Sequence, residues 1–158
     1  MAYQKLQTER ALPIVYSDTI NIPDISNLHA EGVTSAFVAS ELVVAAGDFL
    51  LSITVGDIVY NTTAGSEAVA TVVSITSDTV LVLSANIMAV GETFSIYGDT
   101  NNGCVLYLGG AGNITVLTVG NDTTPFIGVL AGTYLPVQVR RVLSTGTTVA
   151  ANTINALW

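Results

Sequence analysis

Glu67-Ala-Val-Ala-Thr-Val-Val-Ser-Ile-Thr-Ser-Asp-Thr-Val-Leu-Val-Leu-Ser84 sets the fold class. It holds two runs rich in Val, Ile and Thr, 67–76 and 79–84, around Ser77-Asp78. β-Branched residues fit a pleated surface, and a two-residue polar break between such runs signals a hairpin. With a period of two, Val73 and Ile75 are expected to share one face, and Leu81 and Leu83 a face of the returning strand.

Working outward, the same punctuation recurs. Strands are expected at about 35–45, 49–54, 57–61 and 93–97, then at 104–108, 113–119, 125–130, 133–143 and 153–157. Gly98-Asp-Thr-Asn-Asn-Gly103 is a polar boundary, and Asn102-Gly103 is a tight-turn dipeptide. Pro136 lacks an amide donor, so the run around it belongs to an edge strand or contains a bulge. No segment carries a helical stripe longer than about two turns. The expected class is all-β: two small barrel or sandwich modules in series, residues 33–98 and 99–158, preceded by an extended arm over residues 1–32.

That arm differs in composition. The first 31 residues contain no glycine, yet they hold Pro13, Pro23 and the sole histidine, His29. The prolines push Leu12 and Ile22 toward extended backbone. Tyr3, Leu6, Leu12, Ile14, Tyr16, Ile20 and Ile22 supply apolar anchors. Such a strap closes over its own body or docks on a neighbour.

Composition then narrows function. Of 158 residues, 50% are hydrophobic and 10% charged, against about a quarter charged in ordinary soluble domains. A chain this apolar is not disordered, and no uninterrupted run is long enough for a membrane helix. The excess apolar surface points to a homo-oligomer, a trimer in this reading. Lys5, Arg10, Arg140 and Arg141 face twelve carboxylates, for a net charge of −8. A nucleic-acid footprint or an anionic-membrane patch needs clustered cations that this chain lacks. The first residues, Met-Ala-Tyr-Gln-Lys-Leu, lack an apolar signal core, so no export signal is expected.

Chemical motifs are sparse. One histidine and one cysteine cannot build a multi-histidine or thiolate metal site. Cys104, in an alternating apolar run, reads as a buried structural thiol. Asp24 and Ser26 lie near His29 in sequence, but adjacency on an arm is not a triad. Gly109-Gly-Ala-Gly112 lacks the Lys and helix of a phosphate loop, and Asp99-Thr-Asn-Asn-Gly103 lacks the acidic closing ligand of a calcium loop. No catalytic, cofactor or metal residue is assigned. Arg140 and Arg141, on opposite faces of one strand, are candidates for an interface ion pair. Trp158, after Ala156-Leu157, is expected to dock rather than hang in water.

Three stretches carry a resemblance. They are Met1-Ala-Tyr-Gln-Lys-Leu with Tyr16-Ser-Asp-Thr-Ile-Asn-Ile-Pro-Asp24; Val55-Gly-Asp-Ile-Val-Tyr-Asn-Thr-Thr63 continuing to Ser95-Ile-Tyr97; and Leu135-Pro-Val-Gln-Val-Arg-Arg-Val142 with Ala156-Leu-Trp158. They resemble pieces of tailed-bacteriophage virion proteins, particularly of marine and cyanobacterial phages. The resemblance implies a capsid cement or decoration protein, made in the host cytoplasm and carried on the virion surface. Its partners would be copies of itself and the major capsid protein, with no cofactor. Interface residues are then Tyr3, Leu6, Leu12, Ile14, Tyr16, Ile20, Ile22, Arg140, Arg141 and Trp158. Another virion role (tail, baseplate or head fibre) is the nearest alternative. A glycan-binding module is another, for which Tyr60, Tyr97, Tyr107 and Tyr134 are the aromatic candidates.

Overall fold

The computed structural model describes residues 10–158. Among them run β1 (Ala11–Pro13), β2 (Leu28–Val33), β3 (Glu41–Val43), β4 (Ile58–Asn61), β5 (Ala68–Ser77) and β6 (Val80–Leu83). Then follow β7 (Thr93–Tyr97), β8 (Cys104–Leu108), β9 (Gly112–Thr118), β10 (Thr123–Val129), β11 (Thr133–Val142) and β12 (Ile154–Leu157). A four-residue helix, α1 (Phe49–Ser52), and a 3-10 turn at Ala151–Thr153 complete the elements. The fold is all-β, and no helix among these residues is long and apolar enough to cross a membrane.

Residues 26–100 form one unit, a six-stranded antiparallel sheet in the order β2-β7-β4-β5-β6-β3. The β5–β6 hairpin is as read from sequence, except that its two connecting residues are Asp78 and Thr79. Its side-chain phase differs. A bulge between Val72 and Ser74 leaves Val72 buried and Val73 51% exposed, while Ile75 packs against the core. Val73 and Ile75 therefore do not share a face, because one extra residue shifts the alternation. The sheet curls: Ala36, just beyond β2, bridges to Val43 of β3, so the two edge strands approach each other. Leu42, Val59, Ala70, Leu81, Phe94 and Ile96 fill the concave side.

The run expected as a strand at 49–54 is instead α1. Asp78 accepts the Phe49 amide on its carbonyl and the Leu50 amide on its carboxylate. Asp48 accepts from the Leu51 and Ser52 amides and from the Ser52 hydroxyl. Phe49 and Ile53, four apart, face inward, while Leu51 is 90% exposed. A short apolar run does not reveal its period, and here backbone capture by two aspartates decides it. The strand expected at 35–45 shrinks to Glu41–Val43, because Ser40 takes a left-handed backbone (φ 59).

Residues 101–158 fold together with the N-terminal segment through Ile25, in the order β1-β12-β8-β11-β9-β10. The arm is thus no separate element. β1 is an edge strand on β12, and β2 belongs to the other unit. After β1 the chain continues as a strap bonded to strand backbones: the Ile14 amide extends the β12 ladder by donating to the Ile154 carbonyl, and the amides of Ser17 and Ile22 donate to the carbonyls of Val142 and Arg140 in β11. Ile14 and Ile22, each 2% exposed, sit in one cluster with Leu106, Ile114, Val139 and Ile154. The boundaries at 32/33 and 98/99 give way to 25/26 and 100/101 because the arm's apolar residues join this unit's core. Within β11 the Pro136 constraint is met by a bulge between Leu135 and Val139, in an interior strand rather than an edge.

The packing of the strap carries a stability consequence. Ile14→Ala and Ile22→Ala are each expected to destabilise the 101–158 unit by about 2–5 kcal/mol, the cost of truncating a buried aliphatic side chain. Urea denaturation measures it, and unchanged midpoints for both variants would mean the strap contributes nothing to the core.

Candidate functional site

The residues expected to reach a neighbour are distributed unevenly. Tyr3 and Leu6 lie outside the described residues. Leu12, Ile14 and Ile22 are buried in the chain's own core, so these side chains are already occupied. Tyr16 is half-buried against the same core and its hydroxyl donates to the Val149 carbonyl; burial pushes its pKa up to about 12. Ile20 is half-buried at the strap's turn, where its amide donates to Ser17 Oγ at 2.9 Å. Trp158 packs half-buried on the core, and its amide donates to the Arg10 carbonyl.

Arg140 and Arg141 hold the chain to itself through neutral acceptors. Arg140 Nη1 donates to Asn121 Oδ1 at 2.8 Å. Arg141 Nε and Nη2 both reach Asn21 Oδ1, and Nη1 donates to the Asp18 carbonyl, so this guanidinium clips the strap. Asp18 completes the clip by accepting from the Thr145 amide at 2.9 Å and hydroxyl at 3.0 Å. Its carboxyl lies below the ordinary value, first through the Thr145 amide, then the Thr145 hydroxyl and the Ser144 amide, with Arg141 nearby. Asn101 adds a third fastening. Its Nδ2 donates to the Ile22 carbonyl and its Oδ1 accepts from the Gly103 amide at 2.7 Å. The stretch that faintly suggested a calcium loop therefore spends Asn101 on the strap.

The glycine loop is likewise explained by packing. A Cβ on Gly110 would stand 2.7 Å from Thr153 Oγ1, and one on Gly112 2.9 Å from the Val149 amide nitrogen. Glycine lets this loop lie directly under the 148–153 segment.

On the same sheet, cross-strand register assembles an exposed face. Leu12, Ala156, Leu106 and Leu135 form one row across β1, β12, β8 and β11, all buried. The flanking rows point the other way. One is Pro13, Asn155, Tyr107 and Tyr134; the other is Ala11, Leu157 and Val105. Neither row contains a charge. Tyr107 and Tyr134 meet in a tilted contact, with centroids 5.2 Å apart and ring planes at 56°, and Tyr134 is 59% exposed. Tyr60 and Tyr97, the other aromatic candidates, are buried and packed edge-to-face on each other. Sequence offers Tyr60, Tyr97, Tyr107 and Tyr134 alike; the register that brings Tyr107 and Tyr134 together on the outer side is not readable from it.

The 26–100 unit has a different character. It carries eight carboxylates (Glu31, Glu41, Asp48, Asp57, Glu67, Asp78, Glu92 and Asp99) and no Lys or Arg. The rest of the sequence holds four carboxylates against all four basic residues. The whole net charge thus resides in one unit. His29 finds its carboxylate partner in Asp57, with Nδ1 and Oδ2 2.7 Å apart. Asp57 is buried and also accepts from the Thr54 amide and hydroxyl, which ties it into the turn before β4. Glu92 lies below its ordinary pKa, first through the Ala89 amide and then through the Ser66 and Asn61 side chains. Where the sheet edges approach, a cavity of about 360 Å³ opens between β2 and residues 44–49, floored by Val44, Phe49 and Phe94 and lined by Glu31 and Asp48. Among the described residues no group of three or more His, Cys, Asp or Glu is placed to hold a metal ion.

No protein-family model, curated protein or solved structure matches the chain.

Two outcomes follow from this chemistry. Cys104 is buried, and desolvation, with the Asp24 charge second, pushes its thiol up to about 12. Thiol reagents at pH 8 should leave it unmodified in the native protein and label it on denaturation, since the thiolate is the reactive form. Asp18 titrates below its ordinary value, so the stabilisation it gives is complete above about pH 4 and is lost as pH falls through the lowered value. The Thr145 amide resonance in NMR should follow that titration with a midpoint below the ordinary carboxylate value, and Asp18→Asn should abolish the response.

Proposed function

We propose that this chain is a non-catalytic assembly protein, a homotrimeric cement or decoration component of a tailed-phage capsid that staples neighbouring subunits without covalent chemistry. The observation that carries the assembly reading is the uncharged outer face of Ala11, Pro13, Val105, Tyr107, Tyr134 and Leu157. A face with an apolar centre and aromatic anchors is what a subunit contact requires. The placement on a phage head rests on the sequence resemblance. The mechanism differs from an arm laid over a neighbour. Leu12, Ile14 and Ile22 are spent inside the chain, and the strap instead builds the sheet whose outer side makes the contact.

A second reading rests on the Tyr107–Tyr134 pair. Two adjoining rings, tilted to each other, beside the Asn155 amide offer a sugar apolar surface and a hydrogen-bonding group. A glycan array separates it from assembly: binding lost in Tyr107→Ala and Tyr134→Ala, with the oligomer intact, favours the sugar reading.

Sedimentation of the purified protein at micromolar concentration tests assembly. A trimer is expected for the wild type. Val105→Glu and Tyr134→Glu should dissociate it toward monomer, because each buries a carboxylate without a partner. A wild-type monomer would overturn the assembly reading. Location is a separate matter, decided by an electron-microscopy map of virions carrying the chain.

A further inference from the structure

We propose that the open seam of the 26–100 unit binds an extended, alternately basic and apolar peptide strand from a partner, added to the free edge of β2. The inference stands on this unit alone and does not depend on the trimer or the phage reading.

β2 is hydrogen-bonded to β7 on one side only and ends the sheet on the other. Among the described residues, no backbone hydrogen bond joins Ala30–Val33 to the 44–49 segment across the cavity. A free edge presents a row of amide and carbonyl groups that an extended chain can pair with. The cavity beside it is apolar at its floor, through Val44, Phe49 and Phe94. In an added strand every second side chain points to one face. One set would enter the cavity, while the alternate set stays near the rim with Glu31 and Asp48.

Charge identifies the occupant. The unit has eight carboxylates and no Lys or Arg, so its complement is cationic. A second copy of this unit is a poor occupant, because it would bring the same uncompensated negative charge to the seam. A basic strand supplies charge at the rim, apolar side chains for the floor and backbone groups for the β2 edge.

The test uses the full chain and fluorescein-labelled Lys-Val-Lys-Val-Lys-Val-Lys, read by anisotropy. Saturable binding is expected, with slowed hydrogen exchange at the Glu31 and Val33 amides, which point away from β7. Replacing the valines by serines should weaken it by about tenfold or more, since the cavity then receives no apolar group. Glu31→Lys combined with Asp48→Asn should weaken it by a similar factor, and Ala46→Trp should block the seam. Glu31 and Ala46 are exposed, and Asn at 48 keeps the acceptor for Ser52, so both proteins can be checked for unchanged thermal unfolding. Absence of binding overturns the proposal. So does equal affinity for the serine peptide, or binding untouched by Ala46→Trp, either of which means diffuse attraction to an acidic surface. Protection of the β2 amides that grows with protein concentration in the absence of peptide would make the occupant a second copy, and overturns it as well.

Discussion

The unit built on residues 101–158 is completed by the chain's own N-terminal segment, which bonds to β12 and β11 and sends two side chains into their core. Ile14 and Ile22 provide the burial, and Asp18, Asn21, Asn101 and Arg141 provide the fastening. Each aliphatic side chain contributes about 1.5–3 kcal/mol on full burial. The polar clips mainly fix where the strap lies. β1 enters at one edge of this arrangement, and its pairing with β12 helps extend the outer face on which assembly is argued. Ile14 and Ile22 share one cluster with Leu106, Leu135 and Ala156, so the strap is part of the core that these strands build.

The strand content was legible because Val, Ile and Thr alternate with turn residues throughout the body. What sequence could not give were features decided by distant partners. β1 is three residues long and includes Pro13, so it carries no period, and its strand character comes from β12 more than 140 positions later. α1 looks like strand sequence until Asp48 and Asp78 capture its amides. The Val72–Ser74 bulge is invisible in composition and reverses the expected phase. Pro136 was readable as a constraint but left two solutions open, and the tertiary context selects the bulge.

The candidate site was legible to a lesser degree. Leu12, Ile14 and Ile22 are apolar groups that need cover, but sequence cannot say whether that cover is the chain itself or a neighbour. The arginine pair was read as seeking carboxylates; it found amide oxygens on Asn21 and Asn121, whose sequence distance hid them. The charge partition needed the unit boundaries first. A division at residue 32 would place Glu31 and His29 in the arm and obscure the complete absence of Lys and Arg from residues 26–100.

The proposed assembly face and the proposed peptide seam obey different physics. Burial on the uncharged outer face scales with apolar area, and excluded salts such as sulfate strengthen it. Attraction of a cation to the acidic unit decays over a Debye length of roughly 8 Å at physiological ionic strength and weakens as salt rises. Eight carboxylates with no Lys or Arg in residues 26–100 make copies of this unit repel one another at a distance. If the proposed assembly holds, raising salt should therefore favour contact through the uncharged face and disfavour cation binding at the acidic unit, so the two proposals respond to ionic strength with opposite sign.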